Sequence, residues 1–426
     1  MKSFEMIQYI TGGEMDSVLL RLYGSEALEA QRARYLSAIE QFSLRYGEDR
    51  ELALFSVPGR SELSGNHTDH NLGKVIAASV DLDMIAVASP RSDAVVRLKS
   101  EGFEEDTVDF SVPLSPSKEA YGSSHALIAG VLAGCLARGY RVGGFDAYTT
   151  SNVPKGSGLS SSAVFENMIG TILNEFYNEG TISLVEISKI SQSAEREFFG
   201  KPCGLMDQIA CALGGVVAID FGNPVDPEID RIALELDLKG YRLCIVNTGG
   251  NHADLTDDYT SVPVEMKSVA EALGKSVLRE VDAREFFASI PMLRETIGDR
   301  AVLRAMHFFA ENVRVDQQKE LLLAGNFEGF LSEVIASGRS SFCYLQNVYA
   351  AKNPSEQGIS LALCLAEQQL ASCGAWRVHG GGFAGTIQAY VPISLVGAFC
   401  GSMERVFGKN ACTVLRIRSE SAMKIL

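Results

Sequence analysis

The sequence predicts an α+β fold with two domains, and three observations support this prediction. The chain has 426 residues, more than the roughly 250–300 at which a single hydrophobic core usually stops growing. Segments rich in β-branched residues and segments with helical periodicity occur in both halves of the chain. They do not follow the regular strand–helix–strand alternation of a parallel sheet, which favours α+β over α/β.

The first part of the chain is predicted to start with helices and to continue with strands. Residues 1–50 read as two amphipathic helices that form a peripheral layer. The segment "KVIAASVDLDMIAVASP" predicts a long strand, and "AVVRLKSEGFEEDTVDFSV" predicts a hairpin that turns at Gly102. The segment "SHALIAGVLAGCLARG" predicts the next helix.

A strand, "FDAYTTSNV", then leads into the helix "SAVFENMIGTILNEFYN". The cluster of glycine, proline and asparagine at Gly222 to Pro227 predicts a domain boundary. We therefore expect an N-terminal domain of residues 1–225 and a C-terminal domain of residues 226–426, with the final strand a candidate to return to the first domain.

Composition and charge exclude several classes of function. Apolar residues make up 46% of the chain and charged residues 21%, and no apolar run reaches about 18 residues, so no membrane-spanning segment is expected. The 38 basic and 53 acidic side chains give a net charge of −15, which argues against nucleic acid as a partner. The first residues lack the features of a secretory signal, which predicts a cytoplasmic protein.

The nine cysteines are predicted to be free thiols. They are odd in number and scattered, and apolar surroundings such as "IACALGG" and "LALCLAE" indicate buried thiols instead of a disulfide framework. No CxxC pair indicates a zinc site.

The glycine-rich stretch "PKGSGLSSSA", Pro154 to Ala163, is the strongest chemical signal. Glycines allow a tight turn with exposed N–H groups, and the serines can cap the following helix. Such N–H groups and the positive end of a helix dipole stabilise an anion. An ordinary glycine-rich helix start with serine caps fits the same residues, so both interpretations stay open at this point.

The polar stretch "SGNHTDHN", Ser64 to Asn71, allows three interpretations: a metal site, a sugar site or a polar turn. His67 and His70 have the spacing of metal ligands on one helical turn. However, no HExxH motif or cysteine pair supplies a third ligand, which favours a polar turn over zinc.

Several segments, taken in chain order, resemble motifs of the GHMP kinases and, within them, of the galactokinases. "PGRSELSGNHTDHNLG" resembles the galactokinase sugar-binding signature PGRxNLIGEHTDYNGG, and "PKGSGLSSSA" resembles the family's ATP loop. "AEREFFGKPCGLMDQ" resembles a galactokinase run that ends in CGIMDQ, and "RVHGGGFAGT" resembles the third, glycine-rich motif. "NTGGNHADLTDDY" is similar to a galactokinase strand end whose tyrosine reaches the sugar.

The resemblance implies a two-domain GHMP kinase fold with the active site in the cleft between the domains. The N-terminal domain would resemble the second domain of ribosomal protein S5, and the C-terminal domain would be ferredoxin-like. The implied activity is ATP-dependent phosphorylation of a sugar at its anomeric C1 hydroxyl, with ATP and Mg²⁺ as cofactors.

The resemblance also implies roles for individual residues. Arg60 and Asp207 match the catalytic pair, and Ser162 with Glu195 match the Mg²⁺ ligands. Arg60 would supply positive charge near the γ-phosphate and keep Asp207 ionised, so that Asp207 can orient the sugar hydroxyl and accept its proton. The positions implied for sugar binding are Asn66, His67, Asp69, His70, Gly204 and Tyr259. Those implied for nucleotide binding are Lys155, Gly156, Ser157, Gly158, Leu159, Ser160, Ser161, Ser162, Gly381 and Gly382.

The sugar-binding motif departs from the signature at four positions. Glu62, Ser64, Asn66 and His70 stand where galactokinases usually have Asn, Ile, Glu and Tyr. The galactokinase glutamate binds the C6 end of the sugar, where a carboxylate would repel a substrate carboxylate. Asn66 removes that repulsion, which permits a uronic acid such as galacturonate, although an amide also binds a neutral hydroxyl.

Three functions therefore remain as alternatives. Galactose 1-kinase comes first because the overall match is to galactokinases. Galacturonate 1-kinase is the alternative favoured by Asn66 and His70. A non-catalytic sugar and ATP sensor is the third, but Ser160, Ser161 and Ser162 are all present, whereas sensor relatives tend to lose part of that serine loop.

Overall fold

The computed structural model describes residues 1–154, 158–249, 255–383 and 385–426. Its strands are, in chain order, β1 (Ala53–Ser64), β2 (Lys74–Pro90), β3 (Val95–Ser100), β4 (Glu105–Asp109), β5 (Phe145–Ser151), β6 (Val216–Asp220), β7 (Glu228–Ile232), β8 (Tyr241–Asn247), β9 (Ala375–His379), β10 (Thr386–Pro392), β11 (Cys412–Leu415) and β12 (Met423–Lys424). Its α-helices are α1 (Ser3–Thr11), α2 (Asp16–Tyr23), α3 (Leu28–Tyr46), α4 (Ser124–Ala137), α5 (Ser161–Tyr177), α6 (Leu184–Ser193), α7 (Met206–Leu213), α8 (Thr256–Ala272), α9 (Ala283–Thr296), α10 (Asp299–Leu323), α11 (Phe327–Ser340), α12 (Gly358–Leu370) and α13 (Val396–Phe407).

The first sheet is built around the long strand β2. It has eight strands in the order β12-β1-β2-β5-β3-β4, with β6 paired to β2 and β7 paired to β6. β2 is long enough to pair with β6 near its start and with β5 near its end. Its other edge pairs with β1, whose register shifts between Pro58 and Arg60 and again between Glu62 and Ser64. Such bulges re-aim side chains, and here they lie beside the polar residues that end β1.

Side chains of β1 alternate between two packed layers, as the strand period of two requires. Leu54 packs with the N-terminal helices through Tyr35 and Phe42, whereas Phe55 faces α5, with its ring 5.6 Å from that of Phe176. The predicted peripheral layer is confirmed, but it contains three helices and not two. The chain breaks between α1 and α2 at a glycine pair, a residue type with poor helix propensity.

The second sheet has four strands in the order β11-β8-β10-β9, and its pairs are antiparallel. Helices α8 to α12 separate β8 from β9, and α13 separates β10 from β11, which is the β-α-β-β-α-β arrangement of ferredoxin-like folds. The ferredoxin-like prediction is thus confirmed. One face of this sheet is covered by α12 and α13, and the other face points towards β1.

The chain moves between the two sheets at two places. β7 still belongs to the first sheet, and the chain enters the second sheet at β8. β12 pairs with β1, with Phe55 opposite Lys424, so the last strand lies in the first sheet. The predicted division at residues 225 and 226 stays a prediction, and it lies just before β7.

Two further sequence predictions concern membranes and cysteines. Within the described ranges, no helix combines the length and apolar character needed to cross a membrane. All nine cysteines are free, and Cys211 is buried as predicted. The prediction for Cys364 is wrong, because this thiol lies on the outer side of α12 and is exposed.

Candidate active site

The centre of the candidate site is an ion pair between Arg60 on β1 and Asp207 in the first turn of α7. Arg60 Nε donates to Asp207 Oδ1 at 2.7 Å, and Nη2 lies 2.6 Å from Oδ2. This two-point contact is the strongest arrangement that an arginine and a carboxylate can form. The remaining Arg60 nitrogen donates to the carbonyl of Gly158, in the glycine loop before α5.

Both partners of this pair are held in their charged forms. Burial acts to raise the pKa of the Asp207 carboxyl, but the Arg60 guanidinium and the Ser160 hydroxyl outweigh burial, so the pKa lies below its ordinary value. Burial acts to lower the pKa of Arg60, and Asp207 outweighs it in turn. A carboxylate with a lowered pKa is a weak base, so the geometry favours orientation of a hydroxyl group as its first task.

The glycine loop is described from Gly158 onwards, whereas the predicted nucleotide-binding residues Lys155, Gly156 and Ser157 lie outside the described residues. Ser160 occupies the N-cap position of α5, but its side chain makes no bond to the helix backbone. Its hydroxyl donates to Asp207 instead. The expected serine cap is therefore replaced by a contact to the ion pair, which leaves the N-terminus of α5 open to an anion.

A second carboxylate, Glu195, lies beside the start of α5 in a single π-helical turn that follows α6. Ser162 Oγ donates to Glu195 Oε1 at 2.8 Å. Lys201 Nζ contacts the same oxygen at 2.7 Å, and Gln208 Nε2 donates to Glu195 Oε2 at 2.8 Å. One-turn π-bulges are frequent at functional sites, and this one directs Glu195 towards Ser162.

The donor set around Ser162 fits a magnesium ion. Hydroxyl and carboxylate oxygens are the ligands that Mg²⁺ prefers. The Lys201 ammonium contacts Glu195, so a positively charged group already occupies the place beside this carboxylate where a metal cation would bind. Next to them, Glu166 is fully buried and its Oε1 has no hydrogen-bond partner. Burial and the nearby Glu195 raise the pKa of Glu166 well above its ordinary value. Glu166 shares the Gln208 amide with Glu195, so a cation bound to Glu195 would lie close to this buried carboxyl group and favour its charged form.

A cavity of about 600 Å³ opens next to Ser161 and Ser162. Aromatic and aliphatic side chains form much of its wall, and several hydroxyl groups interrupt them, which suits a flat heterocycle joined to a polar sugar. The residues that line it include Phe103, Leu127, Thr149, Val153, Phe165 and Phe199. Sequence reasoning did not identify these residues. An aromatic residue, Phe103, directly after the hairpin glycine is a sequence feature that could have pointed to a binding surface, and in the structure its side chain is half-exposed.

A smaller cavity, of about 180 Å³, lies on the other side of the ion pair. Its lining is mostly polar and comes from the end of β1, the segment before α7 and the loop between β9 and β10. The residues that line it are Arg60, Glu62, Asn66, His67, Asp69, His70, Lys201, Pro202, Cys203, Gly204, Met206, Asp207, Gly380 and Gly381. Most of the predicted sugar-binding residues thus meet around one cavity. A Cβ at Gly204 would collide with the Asp69 carboxylate, so a larger residue there would displace the Asp69 side chain.

His67 is tied to the loop between β9 and β10. Its Nε2 lies 2.9 Å from the carbonyl oxygen of Gly381, which can only accept, so Nε2 carries the proton and Nδ1 is an acceptor. Burial lowers the pKa of His67 to about 3, so the ring is neutral. The exposed His70 ring lies 6.2 Å away. Among the described residues, neither ring belongs to the group of His, Cys, Asp or Glu side chains that lie close enough to share a metal ion.

Asn66 is fully buried and joins the two sheets. Its Nδ2 donates to Gly380 O at 2.7 Å and to Glu62 Oε1 at 3.1 Å, and its Oδ1 accepts from Asn347 Nδ2 at 2.8 Å. Glu62 in turn accepts from the buried Arg377 at 2.6 Å. Position 66 thus has an amide in place of the carboxylate of the signature, and a carboxylate stands four residues earlier, at Glu62 on β1, where it pairs with Arg377.

Two predicted residues lie away from the small cavity. The hydroxyl of Tyr259, predicted to reach the sugar, donates to Gly382 O at 2.8 Å, and its ring packs against Phe383 at 5.4 Å. The second is Gly382, which was predicted to contact the nucleotide but packs against Asn347. Its neighbour Gly381, with the same predicted role, does line the small cavity. The roles of these residues in binding stay predictions. Sequence reasoning missed Asn347 and Arg377, which the packing of the two sheets brings to the site. It also missed Lys201, which lies within the quoted segment "AEREFFGKPCGLMDQ" and contacts Glu195 six residues earlier.

The chain matches two family descriptions in its N-terminal part. Residues 122–215 match "GHMP kinases N terminal domain", and residues 40–90 match "Galactokinase galactose-binding signature". The second match covers β1, the polar turn and β2, and the first covers the serine loop and Asp207.

Relatives match over most of the chain. A galactokinase of Actinobacillus pleuropneumoniae is 31% identical over 361 residues, which are 83% of this chain and 89% of the relative. A galactokinase of Streptomyces coelicolor is 29% identical over 381 residues, or 89% of this chain and 94% of the relative.

Solved structures show the same architecture. The Lactococcus lactis galactokinase complexed with galactose has a TM-score of 0.76 at 25% identity, covering 92% of this chain and all (100%) of that one. The Methanococcus jannaschii mevalonate kinase has a TM-score of 0.61 at 14% identity, covering 86% of this chain and 98% of that one, and this likeness concerns the fold alone. With the ion pair, the serine loop and the ferredoxin-like sheet in place, the chain belongs to the galactokinase family of the GHMP kinases.

Proposed function

We propose that the protein is an ATP-dependent sugar 1-kinase that phosphorylates the anomeric C1 hydroxyl of galactose and yields galactose 1-phosphate and ADP. The observation that carries this proposal is the position of the Arg60–Asp207 pair. It lines the small polar cavity, while Ser160, which donates to Asp207, stands next to the two serines that line the large cavity. A hydroxyl bound in the first cavity and a phosphate bound at the start of α5 would meet at this pair.

The residues divide the chemistry between them. Asp207 orients the C1 hydroxyl through its carboxylate and receives its proton as the O–P bond forms. Arg60 holds Asp207 in place and offers positive charge to the transferring phosphoryl group, whose transition state is loose and spreads its charge over the oxygens. The start of α5 binds the phosphates through backbone N–H groups.

Ser162 and Glu195 would hold Mg²⁺, with Glu166 close by. When bound, the ion would neutralise charge on the β- and γ-phosphates. Lys201 contacts Glu195 at 2.7 Å, and we expect its ammonium to move towards the phosphates when a divalent cation takes its place. A cytoplasmic location stays a prediction from the sequence.

Galacturonate is the alternative substrate, and the structure weakens one argument for it. The exchange at position 66 does not remove the carboxylate from the cavity, because Glu62 lines the same wall. Arg377 pairs with Glu62, so the carboxyl group in this wall already has a positively charged partner within the protein. A sugar with a neutral C6 hydroxyl fits a wall of this kind without leaving a carboxylate unpaired.

The test is an ADP-release assay with galactose, galacturonate, arabinose, N-acetylgalactosamine and glucose, and phosphorus NMR of the product. We expect fastest turnover of galactose and a phosphate on C1. Fast turnover of galacturonate with none of galactose would replace the substrate. Binding of galactose and ATP without any product over hours would favour the sensor alternative.

A further inference from the structure

Three cysteines meet on the far side of the second sheet, away from the candidate active site. They are Cys244 on β8, Cys412 on β11 and Cys400 on α13. The three Sγ atoms all lie within 4.8 Å of one another, and Cys400 Sγ is 2.9 Å from Cys412 Sγ. In the described part of the chain, this is the group of His, Cys, Asp or Glu side chains whose ligand atoms lie close enough to share a metal ion.

The strand register explains why these thiols converge. Cys412 lies opposite Val246, and Cys244 lies opposite Val414 on the same two strands. Cys244 and Cys412 are therefore diagonal neighbours on one face of the sheet, within reach of each other. Helix α13 packs on this face through Phe399 and Met403, and Cys400 follows Phe399 on that helix. The sheet and the helix thus bring three sulfur atoms together, two from the consecutive elements α13 and β11 and one from β8, which lies far earlier in the chain.

The surroundings of the three thiols are apolar and partly open. Cys244 is buried, whereas Cys400 and Cys412 are half-buried, so solvent can reach the group from one side. The neighbours from β8, β10 and the helix belong to the same hydrophobic cluster, which includes Val246, Val391 and Met403. The active-site arginine Arg377 points from the opposite face of the sheet, because side chains alternate along β9. The cysteine group is therefore separate from the kinase site.

We propose that Cys244, Cys400 and Cys412 form a binding site for one soft, thiophilic cation of the Cu(I) type. Thiolates select soft metals, and no carboxylate or imidazole belongs to the group. Structural zinc sites are almost always four-coordinate, whereas Cu(I) is satisfied by three thiolates. A cation about 2.3 Å from each sulfur needs sulfurs about 4 Å apart. The closest pair would open by about 1 Å to reach this spacing, a change within the reach of side-chain rotation.

The experiment uses the full-length protein, purified anaerobically with its thiols reduced and stripped of metal by a chelator. Cu(I) is titrated in competition with bicinchoninate, and binding is followed by the thiolate-to-copper absorption in the ultraviolet. We expect one Cu(I) per chain. The double variant Cys400→Ser/Cys412→Ser should bind about 100-fold or more weakly. The matched control is Cys343→Ser/Cys364→Ser, which removes two exposed thiols outside the group and should leave the affinity unchanged.

A second measurement needs no variant and so does not depend on whether a variant folds. Bound Cu(I) should protect Cys400 and Cys412 of the unaltered protein from alkylation, as read by peptide mass spectrometry, while Cys343 and Cys364 stay reactive. The proposal fails if Cu(I) protects only the exposed pair or if the control double variant loses the binding. It also fails if the reduced protein forms a Cys400–Cys412 disulfide in air and binds no Cu(I) before that. None of these outcomes depends on kinase activity.

Discussion

Strand β1 contributes one residue to each of two arginine–carboxylate pairs, Arg60 to one and Glu62 to the other, and the two pairs differ in their exposure to solvent. In the Arg60–Asp207 pair the Asp207 side chain is 26% exposed, towards the small cavity. In the Glu62–Arg377 pair the side chains are 6% and 0% exposed, between the two sheets. We call these the cavity pair and the sealed pair.

The two carboxylates also differ in the direction of their pKa. Burial is the largest influence on both, and it raises the pKa of Glu62 because Arg377 compensates only in part. At Asp207, Arg60 and Ser160 together outweigh burial and lower the pKa. Neighbouring charges add to this difference, because the Asp69 carboxylate raises the pKa of Glu62 whereas the Lys201 ammonium helps to lower that of Asp207. The cavity pair thus faces the small cavity with its carboxylate charged, whereas the sealed pair lies between the two sheets and joins them.

Breaking the cavity pair should have the largest effect on turnover. Asp207→Asn keeps the shape of the side chain but removes the charge and the proton acceptor, so kcat for galactose should fall by about 10²–10⁴-fold. Steady-state kinetics measure this change, and calorimetry should show ATP binding close to that of the parent protein. Asp49→Asn, at an aspartate that is 98% exposed, is the control. Parental turnover in Asp207→Asn would remove this residue from the catalytic role.

Breaking the sealed pair should instead lower stability. Arg377→Met leaves Glu62 buried without its positive partner, so the free energy of unfolding should fall by about 3–5 kcal/mol. Urea denaturation measures the loss. Adding Glu62→Gln to Arg377→Met removes the unpaired buried carboxylate and should restore part of the free energy of unfolding. If the double variant is as unstable as Arg377→Met alone, the sealed pair does not act through its charge.

Exchanging the residues at positions 62 and 66 tests whether Glu62 and Asn66, which both line the small cavity, compensate for each other. Asn66→Glu alone brings a second carboxylate next to Glu62, since the two side chains are 3.1 Å apart, and should raise KM for galactose by about 10–100-fold or unfold the protein. The double exchange Glu62→Asn/Asn66→Glu restores the residue order of the galactokinase signature.

We expect the double exchange to recover most of the galactose KM and to show no binding of galacturonate, because a carboxylate would then stand at position 66. Kinetics with both sugars measure the outcome. A double variant that is no better than Asn66→Glu would show that the two positions do not compensate for each other.

The smallest expected effect concerns pH and the histidines beside the two pairs. His379 ends β9, and its Nε2 lies 3.0 Å from Oγ of Ser61, the residue between Arg60 and Glu62. Burial lowers the pKa of His67 and of His379 to about 3, whereas the ordinary value in an unfolded chain is about 6.5. At a pH between these two values, both histidines are protonated in the unfolded chain but neutral in the folded protein. Stability should therefore be full above pH 6.5 or so and fall as pH drops, by about 1.4 kcal/mol per pH unit for each histidine.

Urea denaturation at about pH 7.5 and about pH 5.5 checks this dependence. His379→Gln should flatten it by the share of one histidine, and His125→Gln, at an exposed histidine, controls for the substitution itself. An unchanged slope in His379→Gln would mean that another group accounts for the pH dependence.

The sequence allowed the fold to be predicted better than the contacts within the site. Local patterns were sufficient for β2, whose predicted limits match the structure, and for the hairpin at Gly102. The resemblance also identified Arg60 and Asp207, which the structure brings into contact. Local pattern could not show that Asn66 bonds to Gly380 or that Glu62 bonds to Arg377. These partners lie on β9 and in the loop that follows it, which meet β1 only when the two sheets pack. The residues of either segment alone therefore do not predict these contacts.

The bonds from Asn66 and His67 to the loop between β9 and β10 have a consequence for substrate exchange. Asn66 Nδ2 and His67 Nε2 donate to the carbonyl groups of Gly380 and Gly381 and hold them to the turn after β1, so this side of the small cavity cannot open without breaking these hydrogen bonds. The opposite rim, at Lys201 and Pro202, is exposed and also holds the lysine that contacts Glu195. We therefore expect a sugar to enter the small cavity, and a sugar phosphate to leave it, past the exposed rim at Lys201 and Pro202.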